Sequence, residues 1–472
     1  MVVRGEWKRL SEHSVSYAEL VEGARSSEKR ALDLLKHLVG FPSVASRDKS
    51  SIVDCANFVE DQLKEFGYAT SQFPTKGSPI VLGEKNIKAE KTLLFYHHYD
   101  VEPEDPTSLW TSPPWMATVR DGRVYGRGTT DNKGPLVANL FGMDLIERAL
   151  GELPVNVKFL IEGEEEVGSE HLRDFGVAKG DFLKADGCII EAATATPGHP
   201  SEIECGAKGF IDIELTAGGS PRFPQRDVHS GLASGVPNAP WRLVWALNSL
   251  KDESENILIE GVDDLVAKPS EEDLAVLREF GEDMTEMIKK DYVLSRTLLG
   301  RSGLDLLQAV YMKPSITICG LTSGYQGPGS KMIVPSTASA KVDFRLVPNL
   351  TARKAEEMVR AHFIKKGFDD IEVRFNGVGY DPARTPVNHP FIRMVQELSN
   401  EVAAPARARL VPSSFGCGPN YLFAPHAPCC MAISDTEMYG TNFHAPDENL
   451  PLSSLTSIMA FAAILAERLA TM

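Results

Sequence analysis

KTLLFYHHYDV, residues 91–101, decides the fold, because an apolar run typical of a buried strand ends there at two histidines and an aspartate. Two further apolar runs, VNVKFLIEG (155–163) and DGCIIEA (186–192), also end at acidic residues. Helical patterns such as PLVANLFGMDLIERAL (135–150) separate these runs. This alternation predicts an α/β fold with a mainly parallel sheet covered by helices. In such sheets ligands bind beyond the carboxyl ends of the strands.

The pattern changes near residue 207, where an alternating run, GFIDIELTA, is followed by a helix, two strands, a second helix and the strand DIEVRFNG. The order β-α-β-β-α-β is that of a split βαβ, ferredoxin-like fold. We therefore predict a first domain built from residues 1–206 and 385–472, with an inserted α+β lid or dimerisation domain at 207–384. The first helix is predicted over about residues 27–40, where apolar positions recur at helical spacing.

The composition of the chain limits the classes of molecule that it is expected to bind. The 472 residues carry a net charge of −16, which disfavours nucleic acid and anionic membrane surfaces and leaves a small molecule or a second copy of the chain. The N-terminal stretch is polar, and no run of about 18 apolar residues is expected to span a membrane. The seven cysteines are an odd number without CxxC spacing, which argues against a disulfide framework. The sequence thus predicts a cytoplasmic protein.

Five residues of metal-ligand type end or follow strand-like runs, and taken singly each has an ordinary structural explanation. They are His98, Asp131, Glu166, Glu191 and His444. Two imidazoles and three carboxylates can hold two divalent cations if one carboxylate bridges; zinc suits this set, and manganese or cobalt also fit it. A two-metal centre activates water and stabilises a developing oxyanion. Together the five residues predict a hydrolase.

Neighbouring residues supply the other parts of such a centre. Asp100 lies two positions after His98, so on a strand both side chains point to the same side, where the aspartate can accept the second imidazole N–H. Glu165 precedes Glu166 and is placed to act as a general base. The glycine-rich stretch around Asp131 lacks the spacing of a phosphate-binding loop, which requires Gly-Lys followed by Ser or Thr.

These motifs resemble the M20 family of metallopeptidases, dinuclear zinc amidohydrolases that include cytosolic dipeptidases, glutamate carboxypeptidases and N-acyl amino acid deacylases. The likeness extends over nearly the whole chain. It implies that Asp131 bridges two metals, that Glu165 is the general base and that Asp100 orients His98. The first metal would also be bound by His98 and Glu191, and the second by Glu166 and His444. The resemblance further implies a cis peptide bond after Asp131.

The inserted domain resembles the lid and dimerisation domain of that family. Its DVHSG segment implies that His229 reaches the partner subunit's active site in a homodimer and stabilises the oxyanion. RLVP implies that Arg345 holds the substrate carboxylate. Gly329 and Ser330, in GPGSK, and His389 match positions that line the substrate pocket. From the residues alone, a surface-loop histidine and a strand-face ion pair remain the alternatives for His229 and Arg345.

The predicted reaction is metal-dependent hydrolysis of the amide bond in a dipeptide, a short peptide or an N-acyl amino acid. Glu191 keeps the substrate class open, because dipeptidases of the family usually have Asp at this position whereas carboxypeptidases and deacylases have Glu. The alternatives are a deacylase rather than a peptidase, and a relative that binds a metabolite without catalysis.

Overall fold

The computed structural model describes residues 15–47, 49–434 and 440–472, which form two compact units. The first unit comprises Met1–Gly206, Thr385–Pro412 and Leu422–Met472, and the second comprises Ala207–Arg384 and Ser413–Tyr421. The domain bounds predicted from the sequence place Ser413–Tyr421 in the first domain instead. This segment belongs to the second unit because its strand Ser414–Cys417 pairs in parallel with the strand that begins at Gly206.

The strands of the described chain are β1 (Ala69–Phe73), β2 (Ile80–Lys85), β3 (Thr92–His98), β4 (Thr118–Arg120), β5 (Arg123–Tyr125), β6 (Asn156–Glu162), β7 (Gly187–Ala193), β8 (Ser201–Glu204), β9 (Gly206–Gly218), β10 (Val228–His229), β11 (Ser315–Ser323), β12 (Ile333–Val334), β13 (Thr337–Leu346), β14 (Ile371–Tyr380), β15 (Ala383–Arg384), β16 (Ala408–Val411), β17 (Ser414–Cys417), β18 (Cys429–Ser434) and β19 (Asn449–Pro451). The α-helices are α1 (Tyr17–Val39), α2 (Lys49–Glu65), α3 (Lys133–Leu150), α4 (Leu172–Lys179), α5 (Ala239–Asn248), α6 (Val262–Leu265), α7 (Glu271–Asp291), α8 (Gly303–Leu307), α9 (Ala352–Lys365), α10 (Pro390–Ala403), α11 (Asn420–Phe423) and α12 (Leu452–Ala470).

The first unit is built on an eight-stranded sheet of order β1-β2-β6-β3-β7-β18-β8-β16. Its four central strands, β6, β3, β7 and β18, run parallel to one another, as the βαβ alternation predicts. The outer strands β1 and β2 are antiparallel additions, and β8 runs antiparallel to β18. The parallel centre matters for the site, because it brings the carboxyl ends of these strands to one edge of the sheet.

Helices α1, α3 and α12 pack against one another in this unit. Helix α1 begins at Tyr17, about ten residues before the predicted start, because Ser16 and Glu19 form a capping box there. Helix α12 is long and apolar enough to cross a membrane by length and composition alone, whereas no such run was expected from the sequence. Most of α12 is buried within the protein, which accounts for its apolar sequence as that of a core helix.

The second unit contains an antiparallel sheet of order β11-β13-β9-β14, to which β15 and β17 are added at β9. Helix α5 lies between β9 and β11 in the chain and α9 between β13 and β14, so the predicted split βαβ order is confirmed. Alternate residues of β9, including Ile211, Ile213 and Leu215, are buried in a core shared with α5 and α9. The charged stretch after α5 forms the long helix α7, which packs on α8.

Candidate metal centre

Strand β3 brings His98 to the carboxyl edge of the first sheet. It pairs in parallel with β6 on one side and β7 on the other, so His98 lies opposite Glu162 and its side chain is completely buried. The acidic turn that contains Glu165 and Glu166 follows β6 directly, and Glu191 lies near the end of β7. The parallel register therefore collects three of the predicted ligands and the predicted base at one edge.

Asp131 lies between the two histidines predicted as ligands. Its Oδ1 is 3.0 Å from His98 Nε2, and its Oδ2 is 2.9 Å from His444 Nε2. Glu166 Oε2 lies 3.3 Å from the same His444 nitrogen. A carboxylate that faces one imidazole with each oxygen has the arrangement expected of a bridging ligand. The Asp131–Asn132 peptide bond is cis, as the family resemblance implies.

The described part of the chain contains two overlapping sets of possible metal ligands, and within each set the ligand atoms lie within 4.8 Å of one another. The first set is His98, Asp131 and Glu166, and the second is Glu102, Glu166 and His444. Glu102 was not predicted as a ligand from the sequence, although it too follows β3. Its backbone N–H donates to Glu166 Oε1 over 3.2 Å. Its position just after the strand that carries His98 was the available signal.

Asp100 holds the acidic turn as well as facing His98. His98 Nδ1 lies 3.1 Å from the main-chain oxygen of Asp100 and 3.5 Å from its carboxylate, so the main-chain contact is the closer one. The two carboxylate oxygens instead accept the backbone N–H groups of Glu165 and Glu166 over 3.2 and 3.1 Å. An Nδ1–H group donated to Asp100 leaves Nε2 of His98 directed at Asp131, the orientation that a metal ligand needs.

Glu191 is outside both sets of closely spaced atoms, but its charge acts on them. Burial raises the pKa of Glu191 to about 7; His98 opposes this rise and the carboxylate of Asp131 adds to it. Its backbone φ is +60°, and His444 has φ of +61°. Residues other than glycine rarely adopt this left-handed backbone region, and those that do cluster at functional sites.

The protonation of the cluster tests whether cations fit it. Burial raises the pKa of Glu165 well above its ordinary value and that of Glu166 to about 7, and neighbouring carboxylates add to both shifts. Hydrogen bonds to Asp131 and Glu166 raise the pKa of His444 to about 11. Protons and imidazolium charge thus offset the crowded carboxylates. Divalent cations would supply that positive charge, and the imidazole and carboxylate donors are of the kind that bind them.

His97, next to His98, contacts two asparagine side chains. Its Nδ1 lies 2.6 Å from Asn132 Oδ1 and its Nε2 lies 3.1 Å from Asn139 Nδ2. Complete burial lowers its pKa to about 3, so the ring is neutral. His97 therefore ties the residue after Asp131 to helix α3.

The remaining candidates lie elsewhere in the chain. His389, in the first unit, accepts the backbone N–H of Phe391 at the start of α10, so the structure gives it a capping contact. In the second unit, His229 is exposed and accepts the N–H of Gly231. Gly329 and Ser330 are exposed in a loop.

Arg345, on β13 of the second unit, forms an ion pair with Asp343 at 2.8 Å. It also lines a cavity of about 720 Å³ in that unit, together with Lys208 and Arg301. Lys208 is almost fully buried, and burial lowers its pKa to about 8. This part of the second unit thus presents cationic groups to a cavity.

A family model and a solved structure match most of this chain. The sequence model of the family described as peptidase family M20/M25/M40 matches residues 94–468, a range that includes every residue of the cluster. A solved M20 family metallo-carboxypeptidase from Sulfolobus solfataricus is 32% identical, with a TM-score of 0.84, and the alignment covers 94% of this chain and 99% of that one.

Among curated relatives, the beta-Ala-His dipeptidase of Rattus norvegicus is 32% identical over 290 residues, which are 60% of this chain and 57% of the relative. The chain thus matches less than two thirds of that relative's length. The Cys-Gly metallodipeptidase of Schizosaccharomyces pombe is 29% identical over 376 residues, covering 74% of this chain and 76% of the relative.

Proposed function

The chain belongs to peptidase family M20/M25/M40, and on that premise we propose that it is a metal-dependent hydrolase of the amide bond in dipeptides or short peptides. The observation that carries the proposal is the position of Asp131 between His98 and His444, with Glu166 beside it. Two divalent cations bound there would activate water and stabilise negative charge on the substrate oxygen. Zinc is the preferred cation, and manganese or cobalt are the alternatives.

In this proposal Glu165 moves the proton. It takes a proton from the attacking water and returns it to the leaving amine nitrogen, so that one carboxyl group serves both steps of the hydrolysis. Burial raises the pKa of Glu165 above its ordinary value, which favours the protonated form that donates to the leaving nitrogen. The hydrogen bond from its backbone N–H to Asp100 fixes this turn relative to His98.

We assign substrate recognition to the second unit. Arg345 would bind the free carboxylate of the substrate, an assignment supported by its place in a cavity that also contains Lys208. His229 of a partner subunit would stabilise the oxyanion in a homodimer formed through this unit, with Gly329 and Ser330 as further pocket residues. For His389, in the first unit, we propose a capping role at α10 in place of the pocket role that the resemblance implies. A cytoplasmic location also belongs to the proposal, and it rests on the sequence.

Glu191 favours a second candidate, hydrolysis of N-acyl amino acids, because the family's carboxypeptidases and deacylases resemble this chain at that position. The metal-loaded protein should therefore be assayed against dipeptides, including β-Ala-His and Cys-Gly, and against N-acetyl, N-succinyl and N-carbamoyl amino acids. We expect cleavage of dipeptides that carry a free α-carboxylate. Cleavage of N-acyl amino acids alone would replace the peptidase by the deacylase, and cleavage of neither class would refute the proposed function.

The shared active site has its own test. His229→Ala and Glu165→Ala subunits should each be inactive alone, and mixed dimers should regain part of the wild-type rate because one of their two sites has both residues. Absence of any rescue in dimers shown to have exchanged subunits would contradict the role of His229.

A further inference from the structure

Glu448 is a buried carboxylate that the metal-ligand pattern does not include. Its side chain is completely buried, and it lies four residues after His444. Both of its oxygens point at the loop that contains Asp131, residues 126–131, which is more than 300 positions away in the sequence. A carboxylate is costly to bury unless its hydrogen-bonding capacity is filled, so its contacts indicate what it does.

The contacts of Glu448 converge on the backbone of this loop, which we call the Asp131 loop. Oε1 accepts the N–H groups of Thr130 and Asp131 over 2.9 and 3.0 Å. Oε2 accepts the N–H of Gly128 over 2.9 Å and the guanidinium of Arg127 over 2.8 Å. One side chain therefore satisfies three backbone donors of a loop that forms neither helix nor strand, and one of those donors belongs to Asp131 itself.

The segment that contains Glu448 is bound to the same loop at further points. The main-chain oxygen of Glu448 accepts the N–H of Gly126 over 2.9 Å, and Thr130 Oγ1 donates to the main-chain oxygen of Asn449 over 2.7 Å. Four residues before Glu448, His444 contacts Asp131 Oδ2. Glu448 thus holds the backbone of one predicted ligand from the segment that supplies another.

A simple buried ion pair with Arg127 does not account for this geometry. Arg127 contacts only one oxygen of Glu448, and the other three hydrogen bonds are donated by backbone N–H groups. Those donors would lose their partner if the carboxylate were removed, and the backbone that fixes the direction of Asp131 would lose its support. Groups that hold metal ligands in this way change metal affinity when they are mutated.

We propose that Glu448 is a positioning residue: it fixes the Asp131 loop and the His444 segment to each other, so that both side chains face one bound cation. The proposal rests on the metal centre of the proposed function. Glu448 would act through Asp131 and His444 and would not itself touch a cation or substrate.

The test uses Co²⁺ as the probe and the Glu448→Gln variant of the full chain. An amide keeps one acceptor oxygen but turns an NH₂ group towards donors, so it cannot serve both sides of the loop. We expect metal-stripped Glu448→Gln to keep its circular dichroism spectrum, to bind Co²⁺ about 10- to 100-fold more weakly and to show an altered visible Co²⁺ spectrum. Its kcat should fall more than its KM changes.

Glu162→Gln is the matched control, because the Glu162 carboxylate is also buried but, among its described contacts, accepts hydrogen bonds only from the hydroxyls of Tyr96 and Ser169. Its Co²⁺ affinity and spectrum should equal those of the wild type. If Glu448→Gln does not fold, Glu448→Asp decides, since it keeps the charge but is one methylene shorter. A folded variant of Glu448 with lower thermal stability but wild-type Co²⁺ affinity and spectrum would overturn the proposal. A wild-type chain that binds no Co²⁺ would refute the proposed function instead.

Discussion

The two units contain their charged groups in different settings. In the first, Asp131, Glu165, Glu166 and Glu191 crowd at the carboxyl edge of the sheet, where burial raises the pKa of all three glutamates. In the second unit Arg345 already has a carboxylate partner. The crowded edge is unfavourable without added positive charge, whereas the strand arginine is electrostatically satisfied. This difference supports our proposal that the chemistry belongs to the first unit; recognition by the second unit remains a proposal that Arg345 can test.

The largest expected effect concerns the base at the crowded edge. Glu165→Gln should lower kcat by about 10²- to 10⁴-fold because it removes the proton-transferring group. Measured divalent cation content should stay that of the wild type. Glu164→Gln is the matched control, since Glu164 contacts the backbone N–H of Ser78 and the ring of His171 instead of the cluster. A Glu165→Gln protein as active as this control would show that Glu165 is not the proton-transferring group, and the assignment of chemistry to the first unit would lose its base.

Recognition in the second unit predicts a different kinetic signature. Arg345→Met should raise KM for a dipeptide about 10- to 100-fold, the equivalent of one lost charge-assisted hydrogen bond, and should change kcat less. The control is Arg374→Met, which removes another strand arginine of this unit, one paired with Glu214. Equal KM values for the two variants would show that Arg345 is only a structural ion pair.

The pH dependence of folding stability tests whether the buried His97 ring, next to His98, is held neutral. The folded ring has a pKa of about 3, whereas an unfolded histidine takes up a proton near pH 6.5. The unfolded chain therefore binds more protons between these values, and folding stability must fall as the pH is lowered from about 6.5 towards 3, by up to roughly 1.4 kcal/mol per pH unit from this group.

The measurement is the difference in unfolding free energy between metal-stripped wild type and His97→Gln at several pH values. The contribution of the other titrating groups is common to both proteins and cancels. We expect the wild type to lose stability more steeply below pH 6.5. Parallel pH profiles would mean that His97 is not held neutral.

The smallest effect separates two roles for His389. As a cap of α10, its loss in His389→Ala should cost roughly 1 kcal/mol of stability, and His389→Asn should restore most of it with KM unchanged throughout. Substrate kinetics and denaturant unfolding on the same preparations give the answer. A raised KM in both variants would return His389 to the substrate pocket and extend recognition into the first unit.

The sequence predicts the central part of the fold because local patterns encode it. The apolar runs that became β3, β6 and β7 end at acidic residues or histidines, and the split βαβ order follows from the alternation of elements after residue 207. The transfer of Ser413–Tyr421 to the second unit is not predictable in this way, because it depends on the pairing of β17 with β9 about 200 residues earlier. Pairing over such distances has no local signature.

The same limit applies to the site. His98 and Glu166 could be proposed because strand ends carry them, and Asp131 gained its meaning from the family resemblance. Glu448 could not be assigned a role from sequence, since its partners are backbone N–H groups of a distant loop and leave no residue-type signal. Glu102 was not predicted, because it lies four residues after His98 and beyond the end of the strand-like run.

We propose that the carboxyl edge of the first sheet is a two-metal hydrolytic centre. The most direct measurement is a titration of metal-stripped wild type with Zn²⁺, in which bound metal and dipeptide cleavage are followed on the same samples. We predict no cleavage without metal and a rate that rises to its maximum as two ions bind per chain. Full cleavage by the stripped protein, or a chain that binds no Zn²⁺, would contradict a two-metal centre at this edge.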